Sequence, residues 1–97
     1  MPDHLIVIAQ ARAKRGSAEA LIAAQRKLVE ATRRAPGCIQ YDLHRSTDKS
    51  DVVLFVETWE SEAAWNRHMA GAAIDEFRRT GGHLIGEFQL QTFRKIA

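Results

Sequence analysis

VVLFVETWESEAAWNRH, residues 52–68, decides the fold. Its first eight residues, Val52–Trp59, are rich in β-branched and aromatic side chains and predict a strand, and Ser61 opens a helical pattern. Side chains alternate along a strand, so Val53, Phe55, Glu57 and Trp59 share one face. A carboxylate and an indole thus lie side by side among apolar groups. In the helix, Ala64, Trp65, His68, Met69 and Ala72 recur at the three- and four-residue spacings that line one face, and an ionisable imidazole points where the apolar groups point. Folding this helix back over its own strand brings Glu57, Trp59 and His68 to one pocket. The strand's other face carries Val52, Leu54 and Val56, and the sequence leaves open which face the helix covers.

Outward from this unit the chain repeats the same grammar. Residues 5–13 alternate as a first strand, with Leu5, Val7, Ala9, Ala11 and Ala13 on one side and Ile6, Ile8, Gln10 and Arg12 on the other. Lys14-Arg15-Gly16 turns the chain, and Ser17 is placed to cap a helix with its hydroxyl. Leu21, Ala24, Leu28 and Ala31 form that helix's predicted apolar stripe, widened by Ile22 and Val29, while Gln25, Arg26, Lys27 and Glu30 face water. Pro36 and Gly37 stop it. Residues 38–46 predict a second strand with Ile39, Tyr41, Leu43 and Arg45 on one face. The polar loop 47–51 is of hairpin length, which makes the second and third strands antiparallel neighbours. A further helix over about 72–80 presents Ala73, Ile74 and Phe77. A last strand, 84–93, turns Leu84, Phe88 and Leu90 to one side.

Strand, helix, strand, strand, helix, strand is the split βαβ, or ferredoxin-like, α+β arrangement with a four-stranded antiparallel sheet. At 97 residues the chain is expected to form a single domain, residues 1–97. Two helices cover one face of such a sheet, yet the first and third strands are apolar on both faces. Leaving the second face bare would expose more apolar surface than monomers usually tolerate, so a homodimer joined through the sheet faces, a dimeric α+β barrel, is expected.

Composition narrows the function classes. Fourteen basic residues stand against twelve acidic ones, in scattered pairs without a basic stripe, which argues against nucleic-acid binding. The apolar run 5–9 is too short to span a membrane, no leader pattern precedes it, and a single cysteine, Cys38, allows no internal disulfide; a cytoplasmic protein without membrane association is expected. Cys38 follows a helix-ending Pro-Gly, away from a helix N-terminus, and is read as inert. The histidines at 4, 44, 68 and 83 lack metal-ligand spacing, and no phosphate loop or nucleotide fingerprint is visible, so neither metal nor cofactor is expected. A carboxylate within an apolar strand is paired, exposed at an edge, or held with a raised pKa; Glu57 is read either as the ion-pair partner of Arg12 or Arg45, or as an acid–base group. His68 is either a structural core histidine or a base, and Trp59 either core or the flat wall of a site.

The turn Ala35-Pro36-Gly37-Cys38 leading to Tyr41, the Glu57-x-Trp59 strand ending, Ser61 two residues on and His68 in the next helix together resemble the antibiotic biosynthesis monooxygenase domain, including the quinol monooxygenases. The resemblance implies dimers of ferredoxin-like subunits, each with a pocket between sheet and helices. It implies oxidation of a planar phenolic or quinol-type small molecule by dioxygen, with no metal or flavin. On this reading His68 is the base, Glu57 orients or charges it, Trp59 completes the catalytic set, and Tyr41, Phe55, Trp65 and Phe77 hold the substrate ring. The fold also resembles haem-degrading monooxygenases, but the first strand has Gln10 and no asparagine, and no histidine lies between His68 and His83. Two other readings stay open: an isomerase or lyase acting on a small oxygenated metabolite, and a non-catalytic ligand-binding module whose pocket is filled or collapsed.

Overall fold

The computed structural model describes residues 4–97; the first three residues of the expected domain, and the reading of what precedes the first strand there, lie outside the described residues. In chain order the elements are β1 (Leu5–Ala13), α1 (Ala18–Thr32), β2 (Cys38–Arg45), β3 (Val52–Trp59), α2 (Glu62–Met69), α3 (Ala72–Gly81) and β4 (Ile85–Arg94), with a 3₁₀ turn at Gly82–Leu84. The sheet order is β2-β3-β1-β4 with every pair antiparallel, which is the ferredoxin-like topology. The second helical crossover is broken in two at Ala70 and Gly71.

The alternation of β1 and β3 translates directly into burial. Leu5, Val7, Ala9, Ala11 and Ala13 are buried on β1, and Val53, Phe55, Glu57 and Trp59 on β3, which settles which face the helices cover. Leu5 lies opposite Trp59 and Ala9 opposite Phe55, so the two inner rows form one surface. From above, α1 adds Leu21, Leu28 and Val29, and α3 adds Ile74. Fully burying each such Leu, Val or Ile side chain is worth about 1.5–3 kcal/mol. The outer sheet face carries Ile6, Ile8, Val52, Leu54 and Val56, all half-buried.

Five local expectations change. The stripe of α1 is rotated by one position: Leu21, Gln25, Leu28 and Thr32 face the sheet, so Gln25 is buried where water was expected, while Ala31 is exposed. Ser17 precedes α1 without a side-chain capping bond. On β2 the register slips between Cys38 and Gln40, which turns Ile39 outward to 53% exposure and leaves Cys38 opposite Trp59. Leu84 sits in the 3₁₀ turn, and Phe88 is 56% exposed because β4 is an edge strand at the margin of the helical layer. Ala72 begins α3 and is exposed, so the buried face of α2 reduces to Ala64 and His68, flanked by Trp65 and Met69. No helix among the described residues is long and apolar enough to cross a membrane.

Candidate active site

Three elements converge on one cluster. The pairing of β2 with β3 sets Tyr41 opposite Glu57 and Cys38 opposite Trp59. Two residues after Trp59, Ser61 caps α2: its Oγ accepts the Ala64 backbone N–H at 3.1 Å. Fixing the start of α2 so close to the strand end brings Ala64 and, one turn on, His68 down onto Trp59. The His68 and Trp59 rings lie 4.8 Å apart, tilted by 30°, and Tyr41 meets His68 edge-on at 5.5 Å and Trp59 at 6.2 Å. Phe55 packs beside Tyr41 at 5.0 Å. Trp59, Tyr41, Glu57 and His68 are only 0, 2, 4 and 7% exposed.

Within this apolar setting the ionisable groups are shifted in opposite senses. Glu57 pairs with neither Arg12 nor Arg45, which bind Asp51 and Glu19; its Oε1 instead accepts the Trp59 indole N–H at 2.8 Å. Burial raises its pKa from 4.5 to about 7 against the opposing pull of that hydrogen bond. His68 moves the other way, from 6.5 to about 4, first because burial disfavours the imidazolium and second because of the Arg78 charge. It is therefore neutral at pH 7, and its Nε2 is buried without a hydrogen-bond partner among the described residues. Burial and the nearby Glu57 charge raise the Tyr41 phenol and the Cys38 thiol above their ordinary values, so both stay protonated at neutral pH.

A cavity of about 280 Å³ opens beside the cluster, walled by Ala35, Pro36, Ala64 and Gly71 with His68 and Arg67. Of the seven residues singled out from sequence, His68 alone lines it. Glu57, Trp59, Tyr41 and Phe55 form the packed cluster behind His68, Trp65 packs against the same core with its Nε1 buried and unpartnered, and Phe77 wedges between α1 and α3 against Ala24 and Gly81. The helix stripe as first phased concealed Thr32 and Gln25, both buried with an unpartnered oxygen. The spacing 21, 25, 28, 32 carried that signal, because it is the four-three-four rhythm of one helix face. Arg67 gave no signal, being one exposed arginine among many.

Fold and cluster together define the class: the chain belongs to the antibiotic biosynthesis monooxygenase family, whose model matches residues 4–80. Among solved structures it is similar to protein PA3566 from Pseudomonas aeruginosa, at 33% identity, a TM-score of 0.94, and coverage of 100% of this chain and 98% of that one. It is likewise similar to protein SO0527 from Shewanella oneidensis, at 35% identity and a TM-score of 0.90, covering 98% and 93% of the two chains. An uncharacterized protein of Synechocystis, sll1783, is 29% identical over 85 residues, which are 88% of this chain; the match spans only 58% of that relative's length.

Proposed function

We propose that this chain oxidises a small phenolic or quinol-type substrate with dioxygen, the substrate ring supplying the electrons. The observation that carries the reading is His68: a neutral buried imidazole with an unpartnered Nε2, set in the wall of a cavity. The substrate hydroxyl donates to the imidazole and passes its proton to it. The low pKa of His68 in the empty site does not oppose this step strongly, because imidazolium and phenolate form together and each offsets the other's burial. The phenolate gives one electron to dioxygen, and the ring radical and superoxide combine into a C–O bond at a carbon that bears hydrogen. Transfer of that hydrogen as a proton to the terminal peroxide oxygen and cleavage of the O–O bond leave a ring carbonyl and hydroxide, which the imidazolium protonates to water. A phenol and dioxygen thus yield a quinone and one water, four electrons having left the ring.

Glu57 and Trp59 act behind the base. The Glu57–Trp59 hydrogen bond fixes the indole against which His68 stacks, so Glu57 is a positioning residue rather than a second proton acceptor. A homodimer through the outer sheet faces is part of the proposal, supported by the apolar row Ile6, Ile8, Val52, Leu54 and Val56 on the face without helices.

The test is oxygen uptake by the purified protein with a panel of monocyclic quinols and phenols, measured against autoxidation. A positioned base contributes about 10²- to 10⁴-fold, so His68→Ala should lose that much turnover with its circular dichroism unchanged. Equal turnover in the variant removes His68 from the mechanism. The closed packing of Trp59, Tyr41 and Glu57 favours, as a second reading, a binding module without turnover; the absence of oxygen uptake above autoxidation across the whole panel would select it.

A further inference from the structure

The cavity beside His68 carries one feature that proton abstraction does not use. Arg67 lines it, is solvent-exposed, and has no ion-pair partner among the described residues, whereas Arg12, Arg33, Arg45, Arg78, Arg79 and Arg94 each face a carboxylate within 4.0 Å. No acidic side chain lines this cavity, and apart from Arg67 and His68 its walls are alanine, proline and glycine. A polar substituent on a bound ring therefore has two side chains to meet: a neutral imidazole and a guanidinium. An apolar cavity of about 150 Å³ admits benzene, so about 280 Å³ leaves room for a substituted aromatic ring.

We propose that the substrate of this site is a phenol bearing an anionic substituent, a carboxylate above all, which Arg67 binds at the cavity mouth while the ring packs against His68. This rests on the site assigned under the monooxygenase reading, and it makes Arg67 the residue that selects the substrate. A planar guanidinium suits a carboxylate because it donates two parallel N–H bonds to it. Because Arg67 is exposed, the pair is screened by water and salt, and the preference it generates is about 1.5- to 5-fold.

Binding and turnover separate the two claims. Anaerobic calorimetric titration with 2,5-dihydroxybenzoate and with its methyl ester, at low and at moderate salt, should give about 1.5- to 5-fold tighter binding of the acid. Arg67→Gln should bring the ratio near one and added salt should shrink it, whereas Arg26→Gln, on the remote groove between α1 and β2, should leave it intact. Equal affinity for acid and ester, or a ratio that survives Arg67→Gln, overturns the assignment. Aerobic oxygen uptake with the same pair then tests the underlying reading. An Arg67-dependent preference without uptake above autoxidation refutes the monooxygenase and keeps the Arg67 site; uptake indifferent to the carboxylate and to Arg67 refutes the site and keeps the monooxygenase.

Discussion

Glu57 and His68 should reveal themselves in the pH dependence of folding, and they should do so only when separated. Glu57 has a pKa of about 7 in the folded chain against 4.5 ordinarily. Between those values the folded state holds a proton that the unfolded state has released, so stability falls as pH rises through that window. The span of about 2.5 pH units corresponds to about 3 kcal/mol, fully lost above pH 7. His68 has a pKa of about 4 against 6.5. Between those values the unfolded state holds the proton, so stability rises with pH, again by about 3 kcal/mol. The windows overlap from 4.5 to 6.5, where one slope cancels the other. The unsubstituted protein should therefore show little pH dependence from this pair over that range.

Single substitutions remove the cancellation. Glu57→Gln keeps an oxygen for the Trp59 indole and leaves His68 alone, so urea-melt stability should climb by about 3 kcal/mol between pH 4 and 6.5. His68→Phe keeps a ring against Trp59 and leaves Glu57 alone, so stability should drop by about the same amount between pH 4.5 and 7. The double variant should be flat again. Asp42, whose pKa is lowered by its bonds to Gln40 and Arg33, contributes equally to all four proteins and drops out of the differences. Glu57→Gln and unsubstituted curves that run parallel from pH 4.5 to 7 would refute the raised Glu57 pKa, and with it the dry character of the cluster.

Two glycines with left-handed backbone should respond unequally to alanine. At Gly37 (φ +83°) a Cβ would come 2.5 Å from the Ala64 Cβ, while at Gly16 (φ +76°) it would meet nothing within 4 Å. Gly16→Ala should cost about 1–2 kcal/mol from strain alone, and Gly37→Ala clearly more. With about 4–8 °C of melting temperature per kcal/mol for a domain of this size, circular dichroism resolves the order, and the reverse order would contradict the close approach of that turn to α2. Leu54→Glu, on the outer sheet face, should convert a dimer to a monomer in sedimentation equilibrium; an unsubstituted protein already of single-chain mass at micromolar concentration would refute the proposed assembly.

The strands were legible because β1 and β3 alternate strictly and each inner residue meets another across the ladder. Where the sequence misled, a cause outside the local pattern intervened. Alanines read as apolar let the α1 stripe be phased through Ala24 and Ala31, although burial follows the larger Leu21, Leu28 and Val29 and carries Gln25 inward with them. The slip at Ile39 depends on how β2 meets β3, which periodicity within β2 does not contain. Phe88 looked like core because an edge strand has the same alternation as a central one. At the site, the strand period placed Glu57 beside Trp59, but the hydrogen bond that removes Glu57 from any ion pair needed the rotamers of both.

His68 belongs both to the sealed cluster and to the cavity wall, and this double position orders the chemistry proposed for the site. Tyr41, Glu57 and Trp59 are removed from water, and of the four residues of the cluster only His68 lines the cavity. Their packing restrains His68 while offering it no charge to keep it protonated; the groups that shift its pKa are its own burial and Arg78, both acting against the imidazolium. A base held neutral in this way is ready to accept a proton only when a negative charge arrives beside it. An anionic ring bound by Arg67 brings such a charge, which ties proton abstraction at His68 to the presence of the ligand and spares the empty site a buried cation.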